Sequence, residues 1–142
     1  MDFQETDEQT MIREMVRDFA ESILPSTIEH RDKNQIPPTE EWIQFCETGL
    51  QGITISEEYG GMPVDDISEA IIIEELARVD PSFSVFYGVH VGLCSKTISL
   101  HGTEEQKQNY LTQLSADKVG AYSLSEAGAV TDAAALSCKA EL

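Results

Sequence analysis

The sequence predicts a mainly helical domain of about five helices over residues 1–118, followed by the start of a β region over residues 119–142. Three observations carry this. Apolar residues recur at helical spacing through most of the chain. Thr6–Gln9 and Thr103–Gln106 both have the Thr-x-x-Gln pattern of a capping box, the signature of a helix N-terminus. After Asp117 the pattern changes, and by Leu136 apolar and polar residues alternate with a period of two.

The first helix opens with Thr6 as N-cap and Gln9 at the third helical position. Met11, Ile12, Met15, Val16, Phe19, Ala20, Ile23 and Leu24 then form one apolar stripe. Pro25 ends or kinks it. The stretch from Glu29 to Pro38 is polar, carries two prolines and reads as a connection. Thr39 is expected to cap a short second helix with Trp42, Ile43, Phe45 and Cys46 on its apolar face and Gly49 closing it. Leu50 to Ile55 is a brief buried run, and Glu57–Gly61 supplies a turn.

A third helix starts at Asp65 or Asp66, since Asp66 and Glu69 repeat the capping-box spacing. Ile71, Ile72 and Ile73 spread apolar groups around the cylinder, as in a buried central helix. Pro81 follows its end. The segment from Phe83 to Leu100 is rich in valine and aromatics, which by propensity alone admits a strand. Its length favours helix, and Gly88 and Gly92, four apart, suit tight helix packing. Gly102 ends it. Thr103 opens a fifth helix with Tyr110, Leu111 and Leu114 inward. Val119 to Ser125 reads as a strand. Leu136, Cys138, Ala140 and Leu142 alternate with polar residues as a second.

With 142 residues and 41% hydrophobic content the chain can build one core and part of a second. Nine basic against 26 acidic residues give a net charge of −17, which argues against binding nucleic acid or an anionic membrane and suits basic partners. No apolar run is long enough to span a bilayer. The acidic start, Met1–Gln9, resembles neither a signal peptide nor a transit peptide. Cys46, Cys94 and Cys138 are odd in number and far apart, against a disulfide framework or a zinc site and in favour of a reducing compartment. His30, His90 and His101 share no ligand spacing and are read as structural, so no metal site is expected. The pairs Glu40/Glu41, Glu57/Glu58, Glu74/Glu75 and Glu104/Glu105 carry little catalytic weight, because neighbours on a helix diverge by about 100°.

The residues Tyr122-Ser-Leu-Ser-Glu-Ala-Gly-Ala-Val-Thr-Asp132 resemble a segment of the acyl-CoA dehydrogenase family, aromatic-x-x-Thr-Glu-Pro-Gly-(Ala/Asn)-(Gly/Ser)-Ser-Asp. Glu57-Glu-Tyr-Gly-Gly61, Glu74-Glu-Leu-Ala77, Gly102-Thr-Glu-Glu-Gln-Lys107 and Tyr110-Leu111 are similar to further family motifs, in the family's order, and the resemblance runs along essentially the whole chain. It implies an N-terminal helical domain, the beginning of a middle β domain, and FAD-dependent α,β-dehydrogenation of acyl-CoA thioesters in a homo-oligomer whose second subunit contributes to FAD binding.

Residue by residue, the resemblance implies cofactor contacts at Tyr122, Leu124, Ser125, Val130 and Thr131, with Thr131 also on the CoA side of the substrate. Val85, Phe86, Val89 and Leu93, spaced as one helical face, would line the acyl-chain tunnel. A plain core face is the competing reading of those four residues, and an ordinary hairpin loop that of the Tyr122–Asp132 segment. Ser125 replaces a threonine and keeps the hydroxyl. Ala127 stands where the family has proline. Val130 stands where it has a small residue, and a β-branched side chain resists positive φ and crowds a phosphate. The family's catalytic glutamate lies in a later domain, so none of the 142 residues is assigned as catalytic and the isolated chain is expected to be inactive, as a truncated or split enzyme. An electron-transferring flavoprotein would dock on the helical domain, with Ile12 near that patch. A non-enzymatic acidic module binding a partner protein or an acyl chain is the alternative function, and a gene remnant a lesser one. The expected compartment is the bacterial-type cytoplasm, or the mitochondrial matrix if a transit peptide has been removed.

Overall fold

The computed structural model describes residues 4–141. Among them are seven α-helices: α1 (Asp7–Ile23), α2 (Ile28–Asn34), α3 (Thr39–Cys46), α4 (Asp66–Val79), α5 (Pro81–Gly88), α6 (Lys96–His101) and α7 (Glu104–Leu114). A π-helical stretch, Val89–Ser95, joins α5 to α6 into one long element. Short 3-10 turns occupy Leu24–Ser26, Leu50–Gly52, Glu57–Tyr59 and Ala133–Ala135.

Both threonine capping boxes form. Thr6 accepts from the Gln9 amide and Thr103 from that of Gln106, while each glutamine reaches back to the cap backbone. The core is built from Val16 and Phe19 of α1, Leu24 of the 3-10 turn after it, Trp42 and Phe45 of α3, Ile72 and Leu76 of α4, and Phe83, Tyr87 and Val91 of the long element. Phe45 sits at its centre, edge-on to Phe19 at 5.1 Å, Tyr87 at 5.2 Å and Phe83 at 5.7 Å. Along the α1–α4 seam, Glu75 is buried yet charged. Arg17 (2.9 Å), Arg13 (2.5 Å) and Arg78 (3.1 Å) hold its carboxylate. Those hydrogen bonds outweigh burial and lower its pKa to about 2.

Several expectations are corrected. Met11 and Met15 stand 65% and 44% exposed, so the α1 stripe is narrower than its sequence. The polar stretch after Glu29 is not a plain connection. It contains most of α2, whose buried Arg31 pairs with Glu41 and Asp80. A helix fixed by a buried ion pair shows no apolar period, and that is why it was invisible. Pro38, not Thr39, occupies the N-cap of α3, and Ile43 on that helix is exposed. Asp65 caps α4, accepting from the amides of Ile67 (2.8 Å) and Ser68 (2.9 Å). Pro81 does not merely follow a helix end; it is the first residue of α5, capped by Asp80. Tyr110 is half exposed rather than inward, unlike Leu111 and Leu114.

The largest correction concerns the tail. No strand forms among residues 119–141; the regular features there are one antiparallel bridge, Glu126 to Ala129, and a 3-10 turn, Ala133–Ala135, both lying between the two segments expected as strands. A strand needs a partner edge, and the described residues supply none. Leu142, the last residue of the expected alternation, lies outside the described residues.

The turn before α4 requires its glycines. Gly60 has φ 81°, and a Cβ on Gly61 would lie 2.0 Å from the Ile55 carbonyl oxygen.

Candidate functional site

Two surfaces carry the residues singled out from the sequence. The first is the outer face of α5 and the π-helical stretch. Phe83, Tyr87 and Val91 face the core, and Val85 and Leu93 on the same element turn outward. Val85 is 66% and Leu93 45% exposed, while Val89 and Phe86 are half-buried. Phe86 lies edge-on to Trp42 at 5.4 Å and lines a groove of about 1000 Å³ together with Pro25, Ile28, Ile36 and Pro81. Arg31 and Asp80 also line this groove. Burial pushes the Asp80 carboxyl up, but hydrogen bonds from Ser82, Arg31 and the Phe83 amide outweigh it and keep it below the usual range.

The second surface is the segment from Tyr122 to Thr131. Tyr122 (40%), Leu124 (43%) and Val130 (71%) are exposed, as are Ser125 and Thr131. Glu126 and Ala129 exchange backbone hydrogen bonds of 3.1 Å, closing a tight turn around Ala127 and Gly128. The Glu126 carboxylate accepts from the Ser137 amide (2.9 Å), the Ser137 hydroxyl (2.8 Å) and the Cys138 amide (2.9 Å), which lowers its pKa. This latch ties the end of the chain back to the turn. Gln35 is the one non-glycine residue at positive φ among those described, so Val130 carries no backbone strain. The expected conflict between valine and a left-handed backbone is corrected. No hydrogen bond among the described residues links Tyr122, Ser125 or Thr131 to the α5 face.

A cluster that sequence reasoning missed lies between the two surfaces. The chain leaving α7 is gripped by side chains from three other elements. The Trp42 indole donates to the Asp117 carbonyl (2.9 Å). The Gln51 amide donates to the carbonyls of Ser115 (2.6 Å) and Ala116 (2.9 Å). The Gly120 amide donates to Nδ1 of His90 (2.9 Å), and the other His90 ring nitrogen lies 3.1 Å from the Gln51 carbonyl. A backbone N–H can only donate, so Nδ1 is the acceptor and Nε2 carries the proton. His90 is fully buried, edge-on to Trp42 at 4.7 Å, and burial drops its pKa to about 4. Gly120 must be glycine here, since a Cβ would lie 2.6 Å from the Cys94 sulfur. No spacing rule announces such a cluster, because its members act on backbone rather than on each other.

Other candidates have structural settings. Glu75 and Glu41, one from each of two adjacent-glutamate pairs, are buried in ion pairs with arginines. Ile12, expected near a docking patch, is buried in the core. The three cysteines are free, and burial raises Cys46 to about 11. Among the described residues no group of three His, Cys, Asp or Glu is arranged to hold a metal ion, and no helix is long and apolar enough to cross a membrane.

The chain is thus a helical body with an outward apolar helix face, followed by an exposed hydroxyl-bearing segment. Residues 6–118 match the family model described as "Acyl-CoA dehydrogenase, N-terminal domain". The chain belongs to the acyl-CoA dehydrogenase family. It is 42% identical over 136 residues to the short-chain-specific acyl-CoA dehydrogenase of Clostridium acetobutylicum, covering 95% of this chain and 36% of that protein. It is similar to a chain in the solved structure of the electron transferring flavoprotein of Acidaminococcus fermentans, with a TM-score of 0.88, 43% identity, and coverage of 95% of this chain and 36% of that one. The Bacillus anthracis acyl-CoA dehydrogenase solved in complex with FAD matches with a TM-score of 0.86 and 33% identity, over 94% of this chain and 23% of that one. The chain thus spans about a third of the length of the curated relatives it matches.

Proposed function

We propose that this chain is the helical part, with the entry to the cofactor-binding part, of an FAD-dependent acyl-CoA dehydrogenase, the two meeting near residue 118. The observation that carries this reading is the outward apolar face on an otherwise buried helix. Val85 and Leu93 leave more apolar surface in water than a core helix should, and fully covering a Val or Leu side chain is worth about 1.5–3 kcal/mol. An acyl chain laid along Val85, Phe86, Val89 and Leu93 would cover that surface.

The residues of the second surface fit a flavin. Ser125 and Thr131 offer exposed hydroxyls, and Tyr122 and Leu124 offer exposed apolar bodies on the same segment. Ser125 would donate to a ring heteroatom, Thr131 would reach the cofactor or the CoA side of the substrate, and Tyr122 and Leu124 would shield the ring from water. Val130 would stand beside them. FAD, when bound, supplies the acceptor for the β-hydride lost in α,β-dehydrogenation. In this reading this chain's contribution is binding and exclusion of water, and the base for the α-proton would come from a later domain. A homo-oligomer is the assembly this reading implies. Resemblance to a chain in an electron transferring flavoprotein structure supports such a flavoprotein as the partner, docking on the helical body. The bacterial cytoplasm or the mitochondrial matrix is the proposed compartment.

The test is a chimera of residues 1–142 with the remaining domains of the B. anthracis enzyme. It is expected to retain FAD, and its flavin should bleach with a saturated acyl-CoA. Residues 1–142 alone with added FAD are expected to give no turnover. A folded chimera without acyl-CoA-dependent bleaching would sink the reading and favour a non-enzymatic binding module.

A further inference from the structure

We propose that His90, Gln51 and Trp42 form a clasp that fixes the direction in which the chain leaves the helical body, and that His90 is thereby a positioning residue for the cofactor segment Tyr122–Thr131. This rests on the reading of that segment as flavin-binding.

The argument begins with the backbone. Between Leu114, the last residue of α7, and Ala121 the chain has no regular structure to direct it. Its carbonyls at Ser115, Ala116 and Asp117 and its amide at Gly120 are nonetheless all bonded, each to a side chain or ring of another element. Ser115 adds a fifth tie, its hydroxyl donating to the Tyr59 carbonyl at 2.6 Å. The anchors come from α3 (Trp42), the turn after it (Gln51) and the π-helical stretch (His90). Elements far apart in sequence therefore converge on six residues of exit path.

The anchors are rigid. Trp42, Gln51 and His90 are 1%, 4% and 0% exposed, so their side chains cannot swing without opening the core. The last tie that the clasp makes is at Gly120, two residues before Tyr122. A rotation at Gly120 would sweep the whole cofactor segment, whereas a fixed Gly120 presents it in one direction. His90 is suited to this because its buried ring is neutral and the Gln51 carbonyl, by accepting from Nε2–H, favours the tautomer whose Nδ1 accepts from Gly120. The same ring that grips the exit path is also part of the element whose outer face carries Val89 and Leu93. The clasp thus ties the cofactor segment to the acyl-chain face, the two surfaces that share no direct hydrogen bond.

Two measurements test it. In the 142-residue chain, amide hydrogen exchange is followed residue by residue in His90→Leu, which removes both ring bonds, His90→Asn, which keeps an acceptor toward Gly120, and Trp42→Phe, which removes the indole donor while keeping an aromatic ring in the core. Gly120 to Leu124 are expected to exchange at least tenfold faster in His90→Leu with α4 amides unchanged, and His90→Asn should restore most of the Gly120 protection. Trp42→Phe should loosen Lys118 to Gly120 less. Unchanged Gly120 exchange in both His90→Leu and Trp42→Phe overturns the clasp; so does acceleration of α4 by the same factor as Gly120 in both.

The second measurement is FAD affinity and the circular dichroism of bound flavin in the chimera described above. His90→Leu should weaken FAD at least tenfold and alter the flavin signal, with recovery in His90→Asn. A parent chimera empty of FAD overturns the cofactor reading and the positioning role with it. A parent that binds FAD, with His90→Leu equal to it in affinity and spectrum, overturns the positioning role alone.

Discussion

From α1 to α7 the chain buries large side chains against one another: Trp42, Phe45, Phe83 and Tyr87 are each 1% exposed or less, and Phe45 touches four other rings. From Ala121 to Glu141, Ala129 is the one buried residue. The tail still has order, but of a different kind. It is held at one end by the His90–Gln51–Trp42 clasp and closed on itself by the Glu126 latch. The body's order is made from burial it supplies itself. The tail's order is made from hydrogen bonds at two points, with Tyr122, Leu124 and Val130 left in water. A segment of that kind lacks the apolar area to stand alone and is shaped to be covered by something else.

The sharpest way to break this comparison is to cut the same kind of side chain from each part. Phe45→Ala is expected to cost about 3–5 kcal/mol, the usual range for emptying a well-packed aromatic site. Leu124→Ala is expected to stay within about 0.5 kcal/mol. Urea unfolding of the two variants checks this. Comparable losses would show that the tail packs on the body after all.

A second contrast is in acid, where the clasp and the α1–α4 seam titrate in separate windows. His90 has its pKa lowered from 6.5 to about 4 by burial. The unfolded state therefore binds more protons between those values, so the stability this neutral histidine contributes is full above pH 6.5 and lost as pH falls toward 4. The difference corresponds to about 3 kcal/mol, as an order of magnitude. Glu75 has its pKa lowered from 4.5 to about 2 by Arg17 first and Arg13 next, against burial. Its contribution is present above pH 4.5 and lost as pH falls toward 2. Stability measured against pH should thus decline in two steps, and His90→Asn should remove the upper one. A single step near pH 4 in both proteins would show that His90 is not held neutral by the fold.

What could be read in advance follows the same division. Helices with an apolar stripe and a side-chain cap, such as α1 and α7, announce themselves through Thr6, Thr103 and their spacing. Helix α2 does not, because Arg31 anchors it through carboxylates on α3 and at the head of α5, which no local pattern can show. The alternation after Leu136 was legible as a strand pattern, yet a strand is made by its neighbour, and no neighbour is present among the described residues. On the site, Val85 and Leu93 could be picked out by the family resemblance, with which their helical spacing agrees, but their exposure could not. His90 and Gln51 had no signal at all, since their partners are backbone atoms of Ser115, Ala116 and Gly120.

The smallest expected effect lies in the turn where this chain departs from its family's pattern. Ala129 N–H bonds to the Glu126 carbonyl at 3.1 Å, which makes Ala127 and Gly128 the central pair of a four-residue turn. Gly128 is not at positive φ, which excludes type II and leaves the type I geometry. Proline is favoured at the first central position of such a turn, where its fixed φ matches and where no amide partner is lost. Ala127→Pro should therefore stabilise the turn by about 0.4–1 kcal/mol through the unfolded state. In amide exchange that is a two- to fivefold slowing at Ala129, with α4 unmoved. Val130→Gly should give no comparable gain, because Val130 is 71% exposed and carries no positive φ for a glycine to relieve. In the FAD-binding chimera the pair of changes separates the two departures. Improved flavin retention with Ala127→Pro alone would assign the cost to turn stiffness. Improvement with Val130→Gly alone would assign it to side-chain bulk at the cofactor, the one part of the original conflict that the backbone geometry leaves standing.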